Sequence, residues 1–266
     1  METNVIYNED CLGGNGMQLL PDDSVDMILA DLPYGTTACK WDSIIPLKLL
    51  WKQYKRIIKD KGVIVLTASQ PFTSKLVMSN IDWFKYELIW NKQHGKAPGV
   101  AKYRPMPSHE SILIFAKGKT TYNPQMEEGE PYVDVRENGR SYKNGNEHEL
   151  GFKNQDYKMV NEGERYPLSI INILSYGTEG QHPTQKPVEL FEYLVKTYSN
   201  ENELILDNVM GSGTTAIASL KTNRKFIGFE KEKDYYYMAL KRLGKFDKSY
   251  YKELPKSERP AQKQLF

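Results

Sequence analysis

Residues 30 to 35, ADLPYG, place a carboxylate, a proline and an aromatic ring directly after the apolar run VDMILA. The run has the length and composition of a buried strand, so Asp31 and Tyr34 are predicted at its carboxyl end. A carboxylate there can accept hydrogen bonds from an amine, and a tyrosine ring offers a flat face to a planar ligand. Taken alone, the stretch is better explained as a turn that Asp31 caps and Pro33 and Tyr34 pack.

A second stretch, LILDNVMGSGTTAIAS (204 to 219), runs from an apolar strand through a glycine turn into a helical pattern. Gly211 and Gly213 permit backbone conformations that other residues avoid, and they allow a ligand to approach the main chain. Glu230 ends the next apolar run, where a carboxylate can accept both hydroxyls of a ribose. Together they favour a cofactor that contains adenosine over an ordinary strand-to-helix turn.

The glycine turn also fits, weakly, the fingerprint of nicotinamide dinucleotide sites. A dehydrogenase fingerprint normally opens a half-domain with several strands still to come, yet one convincing helix, KDYYYMALKRL, follows Glu230. The dehydrogenase alternative is weakened and stays open. A P-loop is excluded because no Gly-Lys-Ser/Thr follows the glycines.

Apolar runs of strand length alternate with helical patterns along the chain, which predicts an α/β fold with a mostly parallel sheet. The predicted strands are 25 to 30, 62 to 68, 204 to 207 and 225 to 230. The predicted helices are 46 to 60, 71 to 80, 186 to 199 and 213 to 223. Two further runs, 86 to 92 and 111 to 117, are predicted to form an antiparallel hairpin at the edge of the sheet.

The bulk properties set limits on function without choosing one. The 266 residues carry a formal net charge of +2, which neither requires nor excludes a polyanionic partner. Cys11 and Cys39 have no metal-ligand spacing, so we expect no metal site, no disulfide framework and a reducing, cytoplasmic location. The amino terminus has no secretory pattern, and no run is long enough to span a membrane.

The periodic pattern breaks between residues 118 and 178, a stretch rich in Asn, Gly, Glu, Lys and Tyr. The predicted organisation is therefore a catalytic half at 1 to 117, an inserted recognition region at 118 to 178, a cofactor-binding half at 179 to 245 and a flexible tail at 246 to 266. A long mobile surface insertion explains residues 118 to 178 equally well.

Three stretches in this order, DLPYG (31 to 35), HPTQKP (182 to 187) and DNVMGSGTT (207 to 215), resemble the β group of DNA amino-methyltransferases. The resemblance covers about residues 5 to 117 and 180 to 243. It implies a Rossmann-like methyltransferase fold with a circularly permuted motif order and an inserted target-recognition region. It also implies S-adenosyl-L-methionine as the cofactor and double-stranded DNA as the partner, with the target base flipped out of the duplex.

The resemblance assigns roles to individual residues. It implies that the catalytic group consists of Asp31, Leu32, Pro33 and Tyr34. It implies that the cofactor is bound by Asp10, Lys186, Asp207, Gly211, Ser212, Gly213, Thr214 and Glu230. The family usually has Pro where this chain has Leu32, and Phe where it has Val209; the carbonyl of Leu32 and the glycine turn are nevertheless retained.

The segment from Lys85 to Lys119 contains seven basic and two acidic residues, a local excess of five positive charges. Such an excess suits phosphate contacts, although a solvated charged loop has the same composition. The residues predicted to bind DNA are Lys92, Lys96, Lys102, Tyr103 and Arg104. The last five residues, QKQLF (262 to 266), resemble short peptides that dock on the replication sliding clamp, and members of the β group are often homodimers.

The resemblance implies an adenine N6 methyltransferase, because Asp31 stands where cytosine N4 enzymes usually have Ser. Cytosine N4 methylation is the nearest alternative, and RNA or a protein amide could also present an amine to such a site. A non-catalytic DNA-binding protein that retains the fold is a further alternative, suggested by Leu32 and Val209.

Overall fold

The computed structural model describes residues 1–36, 42–95, 98–136, 157–175 and 185–259. Their strands are β1 (Val5–Tyr7), β2 (Val25–Ala30), β3 (Ile58–Ala68), β4 (Phe84–Asn91), β5 (His109–Phe115), β6 (Glu127–Glu128), β7 (Tyr132–Arg136), β8 (Tyr157–Asn161), β9 (Glu164–Arg165), β10 (Ile170–Asn172), β11 (Leu204–Asp207) and β12 (Lys225–Phe229). Their α-helices are α1 (Leu47–Ile57), α2 (Phe72–Met78), α3 (Val188–Tyr198), α4 (Thr214–Lys221) and α5 (Lys233–Gly244). Short 3-10 turns occur at Met17–Leu19, Ile81–Trp83, Pro98–Val100, Lys248–Glu253 and Lys256–Glu258.

Eight strands form one sheet in the order β1-β12-β11-β2-β3-β5-β4-β10. The strands from β1 to β3 in this order are parallel, and β5 is antiparallel to both β3 and β4. The predicted α/β class with a mostly parallel sheet and an antiparallel pair is therefore confirmed.

The antiparallel pair was predicted at the edge of the sheet, and that position is wrong. β10 pairs in parallel with β4 beyond it, with Ile170 opposite Ile89. β10 is three residues long and lies within residues 118 to 178, where no strand is predicted, although the run LSIINIL (168 to 174) that contains it is apolar.

The apolar runs of β2 and β3 are buried because helices cover both faces of the sheet. Along β3, Val63 and Val65 pack in the same cluster as α3, whereas Ile64 and Leu66 pack in the cluster that contains the buried residues of α1 and α2. The alternation follows from the two-residue period of a strand.

The described chain separates into two compact units. One comprises Met1–Asn123 and Ser169–Phe266 and contains the large sheet; the other comprises Pro124–Leu168. In the second unit, β6 pairs antiparallel with β9 and β7 pairs antiparallel with β8. The proposed domain boundaries and the target-recognition role of the insertion stay predictions.

The topology brings several chain segments to one edge of the large sheet. The parallel strands β1, β2, β3, β11 and β12 all end there, and in such sheets ligands bind outside the carboxyl ends of the strands. Because β5 is antiparallel, its first residues reach the same edge: Ser111 lies opposite Ala68. Within the described residues, no helix is long and apolar enough to cross a membrane.

Candidate active site

A cleft of about 430 Å³ opens at this edge of the sheet. Nine of the predicted site residues line it: Asp10, Asp31, Pro33, Lys186, Asp207, Gly211, Ser212, Thr214 and Glu230. The size is typical of small-molecule sites. Residues that are far apart in sequence therefore meet around one cavity.

Asp31 follows β2 directly, and its carboxylate is held by three side chains. Oδ1 accepts hydrogen bonds from the Tyr34 hydroxyl at 2.8 Å and from the hydroxyl of Thr67 at the end of β3. Oδ2 accepts from Nζ of Lys186 at 2.6 Å. An ionised carboxylate has about four acceptor positions, so Oδ2 retains capacity for one further donor.

Tyr34 is fixed from two sides. Its hydroxyl is bonded to Asp31, and its ring stacks on Phe72 of α2 with the ring centroids 5.5 Å apart and an interplanar angle of 24°. Burial, reinforced by the charges of Asp31 and Glu110, holds the pKa of the Tyr34 hydroxyl well above its usual value. The hydroxyl therefore remains a hydrogen-bond donor, and at most one face of the ring is available to a ligand.

Leu32 and Pro33 have different surroundings. The Leu32 side chain is 2 % exposed and packs in the core beneath the cleft, whereas Pro33 lines the cleft. The apolar pocket around Leu32 explains how the chain accommodates Leu in place of the family's Pro.

The glycine turn between β11 and α4 has the geometry that its sequence predicts. Gly211 and Gly213 have φ angles of +53° and +84°, in the left-handed region that favours glycine. A Cβ at Gly213 would lie 3.0 Å from the Cβ of Ala239 in α5, whereas a Cβ at Gly211 would meet only the Val209 carbonyl, at 3.8 Å. Gly213 therefore permits close helix packing, and Gly211 leaves its surroundings open at the cleft.

Glu230 and Arg242 hold this turn in place. Glu230 accepts hydrogen bonds from the backbone N–H groups of Gly211 at 2.7 Å and Glu232 at 2.8 Å. Burial raises the pKa of Glu230, and the two backbone donors oppose that shift. From α5, the buried Arg242 guanidinium donates to the carbonyl and hydroxyl of Ser212 at 2.6 and 2.9 Å.

Two further carboxylates of the cleft, Asp207 and Asp10, differ in burial. Asp207 is buried at the end of β11 and accepts hydrogen bonds from the Thr215 hydroxyl and the Val209 N–H. Burial raises its pKa to about 7 despite these donors. Asp10 is exposed, and its carboxylate accepts from the backbone N–H of Leu12 at 2.8 Å.

Lys186 precedes α3 and lies between two carboxylates. Its Nζ is 2.6 Å from Oδ2 of Asp31 and 3.2 Å from Oε2 of Glu110, which is the second residue of β5. Burial alone would lower the pKa of Lys186, but Asp31 and Glu110 outweigh it and raise the pKa. Lys186 is therefore a buried ammonium ion, and its predicted contact with the cofactor stays a prediction.

The predicted DNA-binding residues divide into two groups. Lys102, Tyr103 and Arg104 are exposed, Tyr103 by 87 %. Lys92 differs, because its ammonium forms an ion pair with Glu110 and its side chain is only 13 % exposed. Lys96, residues 182 to 184 of HPTQKP and the QKQLF tail lie outside the described residues.

Sequence reasoning missed three residues that shape the site: Thr67, Glu110 and Arg242. In the sequence analysis, Glu110 entered only as one of the two acidic residues of the basic segment from Lys85 to Lys119. Thr67 and Arg242 lie 36 and 30 residues from their partners Asp31 and Ser212, so no local pattern identifies them. The position of Glu110 at the start of an antiparallel strand was the one available signal.

A protein family described as DNA methylase, N6_N4_Mtase, matches residues 25–241. Among curated proteins, the Type II methyltransferase M1.MboII of Moraxella bovis is 28 % identical over 88 % of this chain and 94 % of its own length. M.HinfI of Haemophilus influenzae is 26 % identical, covering 90 % and 68 % respectively. M2.LlaDCHI of Lactococcus lactis subsp. cremoris is 47 % identical over a third of each chain.

Solved structures of DNA methyltransferases also match this chain. The crystal structure of the M1.HpyAVI–SAM complex matches with a TM-score of 0.60 and 26 % identity, covering 90 % of this chain and 98 % of that one. The cytosine-N4-specific PvuII DNA methyltransferase matches with a TM-score of 0.62 over 90 % and 86 % of the two chains, at 16 % identity. The Rossmann-like methyltransferase fold predicted from the sequence is confirmed.

Proposed function

Because the chain belongs to the N6_N4_Mtase family of DNA methylases, we propose that it transfers a methyl group from S-adenosyl-L-methionine to the N6 amine of adenine in double-stranded DNA. The observation that carries the proposal is the placement of Asp31: its carboxylate lines the cleft at the carboxyl end of β2, with acceptor capacity left on Oδ2.

The cleft fits the cofactor chemically. Gly211 keeps the main chain accessible, and Glu230, at the end of β12, presents the carboxylate that a ribose requires. Apolar lining from Ile44 and Val209 suits an adenine ring, and Asp10 also lines the cleft. When bound, S-adenosylmethionine supplies an electrophilic methyl group on a sulfonium ion.

The acidic motif acts on the target amine. An exocyclic amine of a base is a poor nucleophile because its lone pair is delocalised into the ring. Oδ2 of Asp31 and the backbone carbonyl of Leu32 each accept one N–H, which draws the nitrogen toward tetrahedral geometry and localises its lone pair. Asp31 also stabilises the positive charge that develops on the nitrogen and offers a route for the departing proton.

Tyr34 and Pro33 position the base. A base inside a duplex cannot reach the cleft, so the target is flipped out and packs against the part of the Tyr34 ring that Phe72 and the Lys186 ammonium leave accessible. Phe72 supports one face of the ring, and Pro33 fixes the distance between the ring and Asp31. The exposed residues Lys102, Tyr103 and Arg104 contact the DNA backbone and neighbouring bases.

Cytosine N4 is the alternative target. The shared fold with the cytosine-N4-specific PvuII enzyme supports this alternative, because the fold itself accommodates either base. Asp31, where Ser is usual for cytosine enzymes, supports adenine.

The remaining parts of the proposal concern partners and location. The relatives' designation as Type II methyltransferases supports a role in restriction-modification. We further propose a cytoplasmic protein that forms a homodimer and whose QKQLF tail docks on the sliding clamp. Deletion of residues 262 to 266 is then expected to abolish clamp binding without reducing DNA methylation.

The experiment combines purified protein, methyl-labelled S-adenosylmethionine and unmethylated DNA, followed by digestion and mass analysis of the nucleosides. N6-methyladenine is the expected product. N4-methylcytosine would correct the target base and keep the chemistry. Cofactor binding without any methylated nucleoside, across DNAs of varied sequence, would contradict DNA methylation.

A further inference from the structure

Four charged side chains of alternating sign form a continuous series, Lys92, Glu110, Lys186 and Asp31, whose last two members line the cleft. Lys92 pairs with Oε1 of Glu110, Lys186 lies 3.2 Å from Oε2 of Glu110, and Lys186 donates to Asp31 at 2.6 Å. The side chains of the first three are at most 13 % exposed. The series is neutral as a whole, so each buried charge has a partner.

The two carboxylates hold Lys186 differently. Nζ donates a hydrogen bond to Asp31 at 2.6 Å, whereas Oε2 of Glu110 lies 3.2 Å from the same nitrogen in a less favourable hydrogen-bond geometry. An ammonium ion has three donor hydrogens. A small rotation of the Lys186 side chain would therefore move its hydrogen bond from Asp31 to Glu110.

We infer that Glu110 is a positioning residue for methyl transfer, which shares the Lys186 ammonium with Asp31 and accepts it when the target amine binds Asp31. The inference rests on the proposed function. The target amine would donate to Oδ2 of Asp31 beside Lys186, and positive charge builds up on the amine as the reaction proceeds. A second carboxylate beside Lys186 weakens its hold on Asp31 and lowers the repulsion between the two cationic groups.

The test is Glu110→Gln, which keeps the shape of the side chain and removes its charge. The single-turnover rate of methyl transfer is expected to fall by about tenfold at neutral pH, while the dissociation constants for cofactor and DNA change little. Glu110→Asp retains the charge and is expected to restore part of the rate. Glu87→Gln, on the exposed surface of the adjacent strand β4, is the matched control.

The pH dependence separates positioning from a structural role. The groups that face Lys186 are Asp31, Glu110 and the ring of Tyr34, with Lys92 behind Glu110. Loss of the Glu110 charge lowers the pKa of Lys186, so its ammonium deprotonates at a lower pH and releases Asp31. The rate deficit of Glu110→Gln is therefore expected to shrink as the pH rises toward the lowered pKa of Lys186.

Wild-type protein is assayed first. If it methylates DNA and Glu110→Gln reacts at the wild-type rate, or is slowed equally at every pH with no rescue by Glu110→Asp, the inference is overturned and the proposed function stands. If the wild type transfers no methyl group, the proposed function fails and the inference fails with it. Thermal melting of each variant identifies a loss of rate that comes from misfolding. If Glu110→Gln does not fold, the rate of Glu110→Asp tests the inference instead. Wild-type kinetics in Glu110→Asp would then overturn it.

Discussion

The hydroxyl of Tyr34 donates a hydrogen bond to Oδ1 of Asp31 at 2.8 Å, so the two functional groups of the acidic motif are locked to each other. The same oxygen accepts from Thr67. Two hydroxyl donors on Oδ1 orient the carboxylate and direct Oδ2 toward Lys186 and the cleft. The local turn thus presents one defined acceptor rather than a freely rotating acid.

Tyr34→Phe should separate this orienting bond from the stacking surface. Because a hydrogen bond to a charged group contributes about 1.5–3 kcal/mol, the rate of methyl transfer is expected to fall roughly tenfold or more, with DNA affinity nearly unchanged. Tyr34→Ala removes the ring as well and should weaken binding of DNA that carries a fluorescent base at the target position. If Tyr34→Phe and Tyr34→Ala weakened the binding of this fluorescent DNA equally, a stacking role of the ring would be contradicted.

Glu230→Gln should act on cofactor affinity. The carboxylate accepts from two backbone N–H groups, those of Gly211 and Glu232, whereas an amide has one acceptor oxygen. We expect the dissociation constant of S-adenosylmethionine, measured by calorimetry, to rise by about ten- to a hundredfold. The exposed Glu201→Gln is the control; an unchanged constant in Glu230→Gln would remove Glu230 from the cofactor site.

The two glycines of the turn are predicted to differ. Gly211→Ala should lower the unfolding free energy by about 1–2 kcal/mol, because the φ of Gly211 is positive. Its open surroundings add no further cost, since a Cβ there would meet no close neighbour. Gly213→Ala should cost more, because its Cβ would also press on Ala239 of α5. Denaturant unfolding measures both, with Gly99→Ala as the control, since a Cβ at Gly99 meets no atom within 4 Å. Equal costs for the two variants would contradict the packing argument.

The raised pKa of Asp207 should make the free energy of unfolding depend on pH. Its pKa is raised to about 7 in the folded protein, so between about pH 4 and pH 7 the folded state retains a proton that the unfolded chain has released. Stability should therefore fall as the pH rises through this window, by on the order of 4 kcal/mol, and then stay level.

Asp207→Asn provides the comparison, because an amide does not ionise. The difference in unfolding free energy between wild type and variant should change across pH 4 to 7 and become constant above it. A constant difference throughout would show that Asp207 titrates at its ordinary pKa.

The exposed basic residues Lys102 and Arg104 are expected to contribute to DNA affinity and to its dependence on salt. Removal of Lys102 or Arg104 should weaken binding to all DNA sequences and reduce the slope of log affinity against log salt by about one for each charge. Lys75→Ala, an exposed lysine of α2, should leave the slope unchanged. If the loop variants match that control, DNA does not follow this loop.

The sequence predicted those parts of the site that depend on local patterns. A buried apolar run ending in Asp31 and a glycine turn before α4 are readable because strand burial and left-handed glycines leave short-range signals. Asp31 and Glu230 could be placed near each other because parallel strands end at one edge of a sheet.

The parts that the sequence did not predict depend on long-range packing. Lys186 meets Asp31 across 155 residues, and Glu110 joins them only because β5 runs antiparallel beside β3. β10 was missed because the short apolar run around it, LSIINIL, stands at the end of a long stretch that is otherwise polar, and its pairing with β4 defines it. Such contacts are set by strand register rather than by any local pattern.

Asp31 is the residue proposed to drive methyl transfer to an adenine amine. The most direct measurement is the single-turnover formation of N6-methyladenine in duplex DNA by wild type and Asp31→Asn, with the exposed Asp82→Asn as control. We expect Asp31→Asn to bind cofactor and DNA but to form product at least about a hundredfold more slowly, while Asp82→Asn matches wild type. Product formation by Asp31→Asn at the wild-type rate would show that Asp31 is not the catalytic carboxylate.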